Sequence, residues 1–240
     1  MGAPEQSSSP NREEVQMSKV ITVISQKGGV GKSTVARTAA VAYAMVGWDV
    51  TILDADTQQE TSNHWYARRL ENPKANSNHL WCEKIRGVNP IKRVLDQGTA
   101  DLIIVDGAPH ATDMSVMFAK QSDLIIIPTG AAIDDLQPAI KLAVQLVSVH
   151  GVDREKIRFV LNHCSRNNRE RDDAIAALLQ YELKLLPAFL RESPCYRSAM
   201  DIGKAPNEVP YAIPKAAAVH LAQCISDALE AQFANGAMEV

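Results

Sequence analysis

The stretch Val20-Ile21-Thr22-Val23-Ile24-Ser25-Gln26-Lys27-Gly28-Gly29-Val30-Gly31-Lys32-Ser33-Thr34 decides the fold. Its first five residues are apolar or β-branched and read as a buried strand. The Ala-rich run over 32–46, closed near Gly47, reads as a helix. A glycine cluster lying between a strand and a helix is a phosphate loop in its confirming context. Glycines 28, 29 and 31 let the backbone curl until several N–H groups face an anion, and the helix adds its positive N-terminal end. Lys32 is placed to reach the β- and γ-phosphates of ATP. The Ser33 hydroxyl is placed to ligate Mg²⁺, and Gly28, Gly29, Val30, Gly31 and Thr34 complete the cradle.

Outward from this loop, short apolar runs alternate with longer amphipathic ones. Strands are predicted at 50–53, 80–85, 102–105, 124–127 and 157–161, with a short one near Leu185. Helices are predicted at about 58–70, 90–97, 134–149, 169–181, 193–203 and 214–233. Leu102-Ile103-Ile104-Val105 and Leu124-Ile125-Ile126-Ile127 are nearly continuous apolar runs, as central parallel strands require. Repeated strand-then-helix units predict an α/β fold: one P-loop NTPase domain over 18–240, a mostly parallel twisted sheet with helices on both faces. Residues 1–17 are polar, rich in Ser, Pro and Glu, and are expected to be a disordered leader.

Composition narrows the class. Of 240 residues, 46% are hydrophobic and only 5% aromatic, so the core must be aliphatic. A net charge of −3 excludes a globally basic protein, so any nucleic-acid contact needs a local patch. Cys82, Cys164, Cys195 and Cys224 are widely spaced without a C-x-x-C pair, which argues against a metal cluster or a disulfide scaffold and for a cytoplasmic setting. No apolar run reaches membrane-spanning length, so no stable membrane insertion is expected. No basic-then-apolar signal opens the chain, and Gln6 stands where a myristoylation site after Gly2 would want Ser or Thr.

Three further segments carry chemistry. Asp54-Ala55-Asp56 puts two carboxylates at the carboxyl end of the second strand, the edge where open α/β sheets bind ligands. The alternative is a solvated acid pair that caps the following helix. Ile103-Ile104-Val105-Asp106 is an apolar strand ending in one acid, suited to holding Mg²⁺ through its water shell. Val160-Leu161-Asn162-His163 ends a later strand in an amide that can both donate and accept, although Asn is also a common turn residue at such a place. His163 has no visible partner and is read as structural or solvent-facing.

The loop departs from G-x-x-x-x-G-K-[ST]: Gln26 stands at the first glycine position and Lys27 precedes the glycine pair. The form K-G-G-x-G-K-[ST] resembles the deviant Walker A of the ParA/MinD superfamily of ATPases, over residues 19–235 and most specifically over 26–58. The resemblance implies a slow, partner-stimulated ATP hydrolase that forms a homodimer on binding ATP and Mg²⁺. Lys27 would then cross the dimer interface to touch the partner's ATP. Asp54 would lie near the metal, Asp56 would position or activate the attacking water with help from Gln58, Asp106 would serve as the Walker B acid, and Asn162 would contact adenine. Two departures stand out. Thr57 replaces the usual proline after Asp56, leaving that loop less constrained, and Gly107-Ala108-Pro109 replaces Thr-x-Pro after the Walker B acid.

Within the superfamily, the acidic end Asp227–Val240 lacks the basic amphipathic helix of MinD-like proteins. No tyrosine follows Tyr211, against the Tyr-rich tail of bacterial tyrosine kinases. The cysteines do not suit iron–sulfur carriers, and there is room for one domain where arsenite pumps have two. The resemblance therefore leads to short ParA-type partition ATPases, which bind DNA non-specifically, answer to a ParB-like adaptor and move a plasmid, a chromosome region or a protein cargo. Only the leader precedes the loop, so no operator-binding domain is expected. Arg166, Arg169, Arg171, Arg191, Arg197 and Lys204 are the candidate DNA contacts, through phosphate neutralisation. Solvated helix faces would look the same, and a nucleotide-switched module acting on a protein or membrane complex is the alternative.

Overall fold

Alternation inside the apolar runs builds the core from both faces of one sheet. A computed structural model describes residues 18–109, 113–164 and 168–236. The expected leader, 1–17, and Arg166 lie outside the described residues. The chain runs β1 (Lys19–Val23), α1 (Lys32–Met45), β2 (Val50–Asp54), α2 (Thr61–Glu71), β3 (Leu80–Lys84), α3 (Asn89–Gln97), β4 (Leu102–Asp106) and α4 (Asp113–Lys120). It continues through β5 (Leu124–Thr129), α5 (Ile133–Ser148), β6 (Ile157–Cys164), α6 (Asn168–Gln180), β7 (Lys184–Arg191), α7 (Pro194–Asp201) and α8 (Ala212–Gly236). The seven strands lie in the order β3-β2-β4-β1-β5-β6-β7, and every described pairing is parallel.

Ile21 and Val23, Val50 and Ile52, and Leu102 and Ile104 face a layer of α1, α2, α7 and α8. Their neighbours Val20, Leu53, Ile103 and Val105 face α3 and α4, and Ile125 and Ile127 face α5 and α6. Each fully buried Ile or Leu removes enough apolar surface from water to contribute roughly 1.5–3 kcal/mol before entropy is counted. This two-sided burial fixes the register, and the register places the chemistry. Val23 is level with Asp106, and Asp54 is level with the same Asp106. The carboxyl ends of β1, β2 and β4 thus open at one edge. There α1 leaves β1 toward one side of the sheet and α5 leaves β5 toward the other, the crevice where such sheets take ligands.

The structure also extends the sequence reading. The eight-residue α4 was not predicted, being too short to carry a clear helical period. β7 runs through eight residues, Lys184–Arg191, although it contains Pro187. As the last strand of the sheet it tolerates a missing N–H donor. α2 begins at Thr61, three residues later than expected, because Gln58 and Gln59 turn with their N–H groups on Asp56. Opposite the loop, buried Arg69 of α2 holds Glu208 in a two-bonded ion pair at 2.6 and 3.1 Å and donates to the Gly203 carbonyl at 3.0 Å. This pins α2 to the segment after α7.

Candidate functional site

Gly29 and Gly31 adopt φ values of 78° and 90°, a left-handed conformation that side chains rarely enter. At Gly31 a second constraint applies, because a Cβ there would lie 2.6 Å from Asn162 Nδ2. The loop therefore curls as the glycine spacing predicted and delivers Lys32 and Ser33 to the first turn of α1. Beside it lies a cavity of about 290 Å³, lined among others by Gly28, Gly29, Gly31, Lys32, Ser33 and Thr34, with Asp56 and Asn162 across from them.

Lys32 is only 8% exposed, and its ammonium donates to the Ser25 hydroxyl at 3.3 Å. Burial pulls its pKa down, against the attraction of Asp106 and Asp56. A desolvated cation with one weak neutral acceptor is poised for an anionic ligand. The Ser33 hydroxyl meets the Thr61 hydroxyl at 3.2 Å. Asp106 is 1% exposed and accepts a 2.6 Å bond from the Ser62 hydroxyl on Oδ2, while its Oδ1 is buried without a donor. Burial raises its pKa, and Arg37, the Ser62 and Ser33 hydroxyls and Lys32 oppose that rise. An orphaned carboxylate oxygen beside a serine hydroxyl fits a hard divalent cation, which takes oxygen ligands.

The two acids predicted as a pair divide their work. Asp54 is fully buried and gives both oxygens to backbone N–H groups: Asp56 at 3.1 Å, Ser62 at 2.9 Å and Asn63 at 2.9 Å. It ties the turn and the first turn of α2 to β2 and does not line the cavity. Asp56 does line it, held by N–H bonds from Gln58 and Gln59 at 3.2 and 3.0 Å. Gln59, not Gln58, is the glutamine on the cavity wall. Thr57 donates its N–H to the Ala55 carbonyl at 3.1 Å, a bond proline could not make. Gly107 has its own reason: a Cβ there would stand 2.8 Å from the Val23 carbonyl oxygen and 2.7 Å from Ile24 Cγ2.

Asn162 is 2% exposed and donates to the Val30 carbonyl at 3.0 Å, so half of its amide braces the phosphate loop. Its Oδ1 is buried and unpartnered, leaving one acceptor on the cavity wall. His163 follows at φ 52° and also lines the cavity, although the sequence marked it only as a bystander. The far wall comes from the end of β7 and from α7, where Ser193, Tyr196 and Met200 had no legible signal.

Lys27 points away from this cavity. Its ammonium pairs with Asp135 of α5 and lies 3.4 Å from the Asp134 carbonyl, and the Asp135 bond raises its pKa. The basic candidates do not share one surface role. Arg191 and Arg197 line the nucleotide cavity, with Arg197 paired to Glu192 at 2.7 Å. Arg171 pairs with Asp172 at 3.2 Å and, like Arg191, stands over the Phe189 ring. Arg169 lies 4.0 Å from Asp173, and the Lys204 carbonyl accepts from Trp65 Nε1 at 3.0 Å. Among the described residues no helix is long and apolar enough to cross a membrane.

Comparison with known proteins bears on the family and the fold. A family model described as the CobQ/CobB/MinD/ParA nucleotide binding domain matches residues 21–206. An iron–sulfur cluster carrier protein of Synechocystis is 54% identical over 54 residues, 22% of this chain and 15% of that one. The maintenance of carboxysome distribution protein A of Gloeobacter kilaueensis is 31% identical over 136 residues, 55% of this chain and 56% of that one. The match thus spans 15% of the length of the first curated relative and 56% of the second. The cell division ATPase MinD of Pyrococcus furiosus superposes with a TM-score of 0.70 at 21% identity, covering 88% of this chain and 99% of that one, a likeness of fold.

Proposed function

The chain belongs to the CobQ/CobB/MinD/ParA nucleotide-binding domain family, and from that premise we propose that it is an ATPase whose ATP-bound dimer positions a cargo. One observation supports the reading above the others. Under a single glycine loop, a buried lysine cation stands beside a buried aspartate oxygen that has no partner. That pairing suits a triphosphate with its cation and little else.

In this reading Lys32 and the loop N–H groups hold the β- and γ-phosphates, and Ser33 and Asp106 hold Mg²⁺, which offsets phosphate charge when bound. Asp56, fixed by two N–H bonds at the cavity wall, orients the attacking water. Asn162 Oδ1 accepts from the base. Lys27 serves a second protomer, which requires Asp135 to release it. In this reading the ATPase domain is 18–240, and the setting is the cytoplasm. One of the similar proteins carries a name that concerns where things are placed, carboxysome distribution. Positioning of a plasmid, a chromosome region or a protein complex, through a ParB-like adaptor, is the matching task here.

The test uses Asp56→Ala. It should bind ATP, accumulate as a dimer by light scattering and release phosphate far more slowly than the parent. Undiminished turnover would remove Asp56 from its role, and a dimer indifferent to ATP would remove the switch. The same trapped dimer separates two readings of the target. Salt-sensitive retention on arbitrary double-stranded DNA supports DNA as the track. The carboxylates beside Arg169, Arg171 and Arg197 favour the second reading, in which the dimer acts on a protein complex. Absence of DNA binding at low salt would leave that reading standing.

A further inference from the structure

Arg37 is a charge where a helix should bury none. It lies on α1, 5% exposed, on the face packed against the sheet, beside the Trp65 ring at 5.4 Å. A guanidinium there is expensive unless carboxylates answer it. The carboxylates that attract it are Asp106 and Asp54, level with each other on neighbouring strands.

Contact with Asp106 runs through one hydroxyl. Arg37 Nε donates to Ser62 Oγ at 3.1 Å, and Ser62 Oγ donates to Asp106 Oδ2 at 2.6 Å. A serine hydroxyl has one proton. With Arg37 donating to it and an ionised Asp106 able only to accept, that proton points to Asp106, and the direction of the chain is set. Oδ2 is thereby engaged and Oδ1 is left open. The same turn of α2 sets the neighbouring groups, because Thr61 meets the Ser33 hydroxyl and the N–H groups of Ser62 and Asn63 hold Asp54.

We propose that Arg37 is a positioning residue for the cation site: through Ser62 it orients the Asp106 carboxylate so that Oδ1 meets the metal. This rests on the assignment of Asp106 as the Mg²⁺ acid. Groups hydrogen-bonded behind a metal ligand commonly change metal affinity by about 10–100-fold when removed, and the buried counter-charge adds to that effect here. Arg37 also approaches Met200 Sδ at 3.7 Å, so the far wall of the cavity touches the same chain.

The experiment titrates Mg²⁺ against binding of a fluorescent ADP analogue to the full chain, with parallel binding in excess chelator and a melting curve. Ser62→Ala removes one hydroxyl and should fold. It should raise the Mg²⁺ midpoint about tenfold and leave metal-free nucleotide binding within twofold. Arg37→Met should do the same, and the double variant should add little to either single change, since both act through one route. Arg37→Lys keeps charge without the directed Nε donor and should recover only part of the midpoint. If Arg37→Met does not fold, Ser62→Ala carries the test. A Mg²⁺ midpoint within twofold of the parent in Ser62→Ala overturns the proposal, as does an equal loss of metal-free binding. Asp106→Asn separates the two levels. If it leaves the Mg²⁺ midpoint unchanged, the metal assignment itself fails. If it shifts the midpoint while Ser62→Ala and Arg37→Met do not, only the positioning chain fails.

Discussion

The two walls of the cavity are built on opposite electrostatic plans. At the phosphate end, Lys32 lines the cavity while Arg37 and Asp106 are buried outside its lining, and each is under-answered: Lys32 has a neutral acceptor, Arg37 Nη2 has no partner, and neither has Asp106 Oδ1. At the far wall, Arg197 and Glu192 are about 60% exposed and paired with each other. Buried groups left unpaired are costly and persist where a ligand completes them, whereas exposed pairs contribute little to stability. The contrast locates the chemistry more sharply than the cavity's shape does.

The largest effect should come from Lys32→Ala. Among the described residues it removes the one buried cation on the cavity wall, and phosphate release at saturating ATP should drop about a hundredfold or more. A rate within tenfold of the parent would mean that the phosphate end is not the reacting end. Next is the pH response of Asp54, whose carboxyl is pushed up to about 6 from 3.8 by burial, with repulsion from Asp106 second. The folded state then holds its proton more tightly than the unfolded chain. This group's contribution to stability falls as pH rises from about 4 to about 6, by at most on the order of 3 kcal/mol, and is constant above. Asp54→Asn cannot ionise, so its destabilisation relative to the parent should shrink between about pH 4 and about pH 7 in urea unfolding. A constant difference across that range would place Asp54 at an ordinary pKa.

Gly31→Ala comes third. A positive φ and a Cβ 2.6 Å from the Asn162 amide should cost about 2 kcal/mol, read as a lowered denaturation midpoint together with weaker nucleotide binding. Full affinity in that variant would show that the loop can reshape freely. The smallest effect belongs to the far wall. Arg197→Ala should move the melting temperature by no more than about 2 °C. A larger drop would erase the difference between the two walls.

Much of the phosphate end was legible because its signals are local. Strand, glycine run, lysine and serine lie within one short stretch, and no distant residue is needed to interpret them. Asp106 was legible for the same reason, as an acid closing an apolar run. Arg37 and Ser62 were not, although they stand in the same half of the fold. Their meaning depends on contacts across 25 and 44 residues, and an arginine in a helix ordinarily signals solvent. Asn162 was found as a strand-end amide, but its bond to Val30, 132 residues away, could not be read from its neighbours. The far wall was least legible, because Tyr196 and Met200 reach the cavity through the docking of α7 rather than through any motif.

Gly107 carries a consequence for how this chain can change. Judged by side-chain size alone, Gly107→Thr is a modest substitution. Here the main-chain oxygen of Val23 occupies the space the new side chain needs, while the Gly107 N–H donates to that same oxygen at 2.9 Å. Trimming Ile24 would clear one obstacle and leave the backbone in place. With β1 and β4 settled this closely, no single substitution at Gly107 finds room for a side chain unless the backbone shifts.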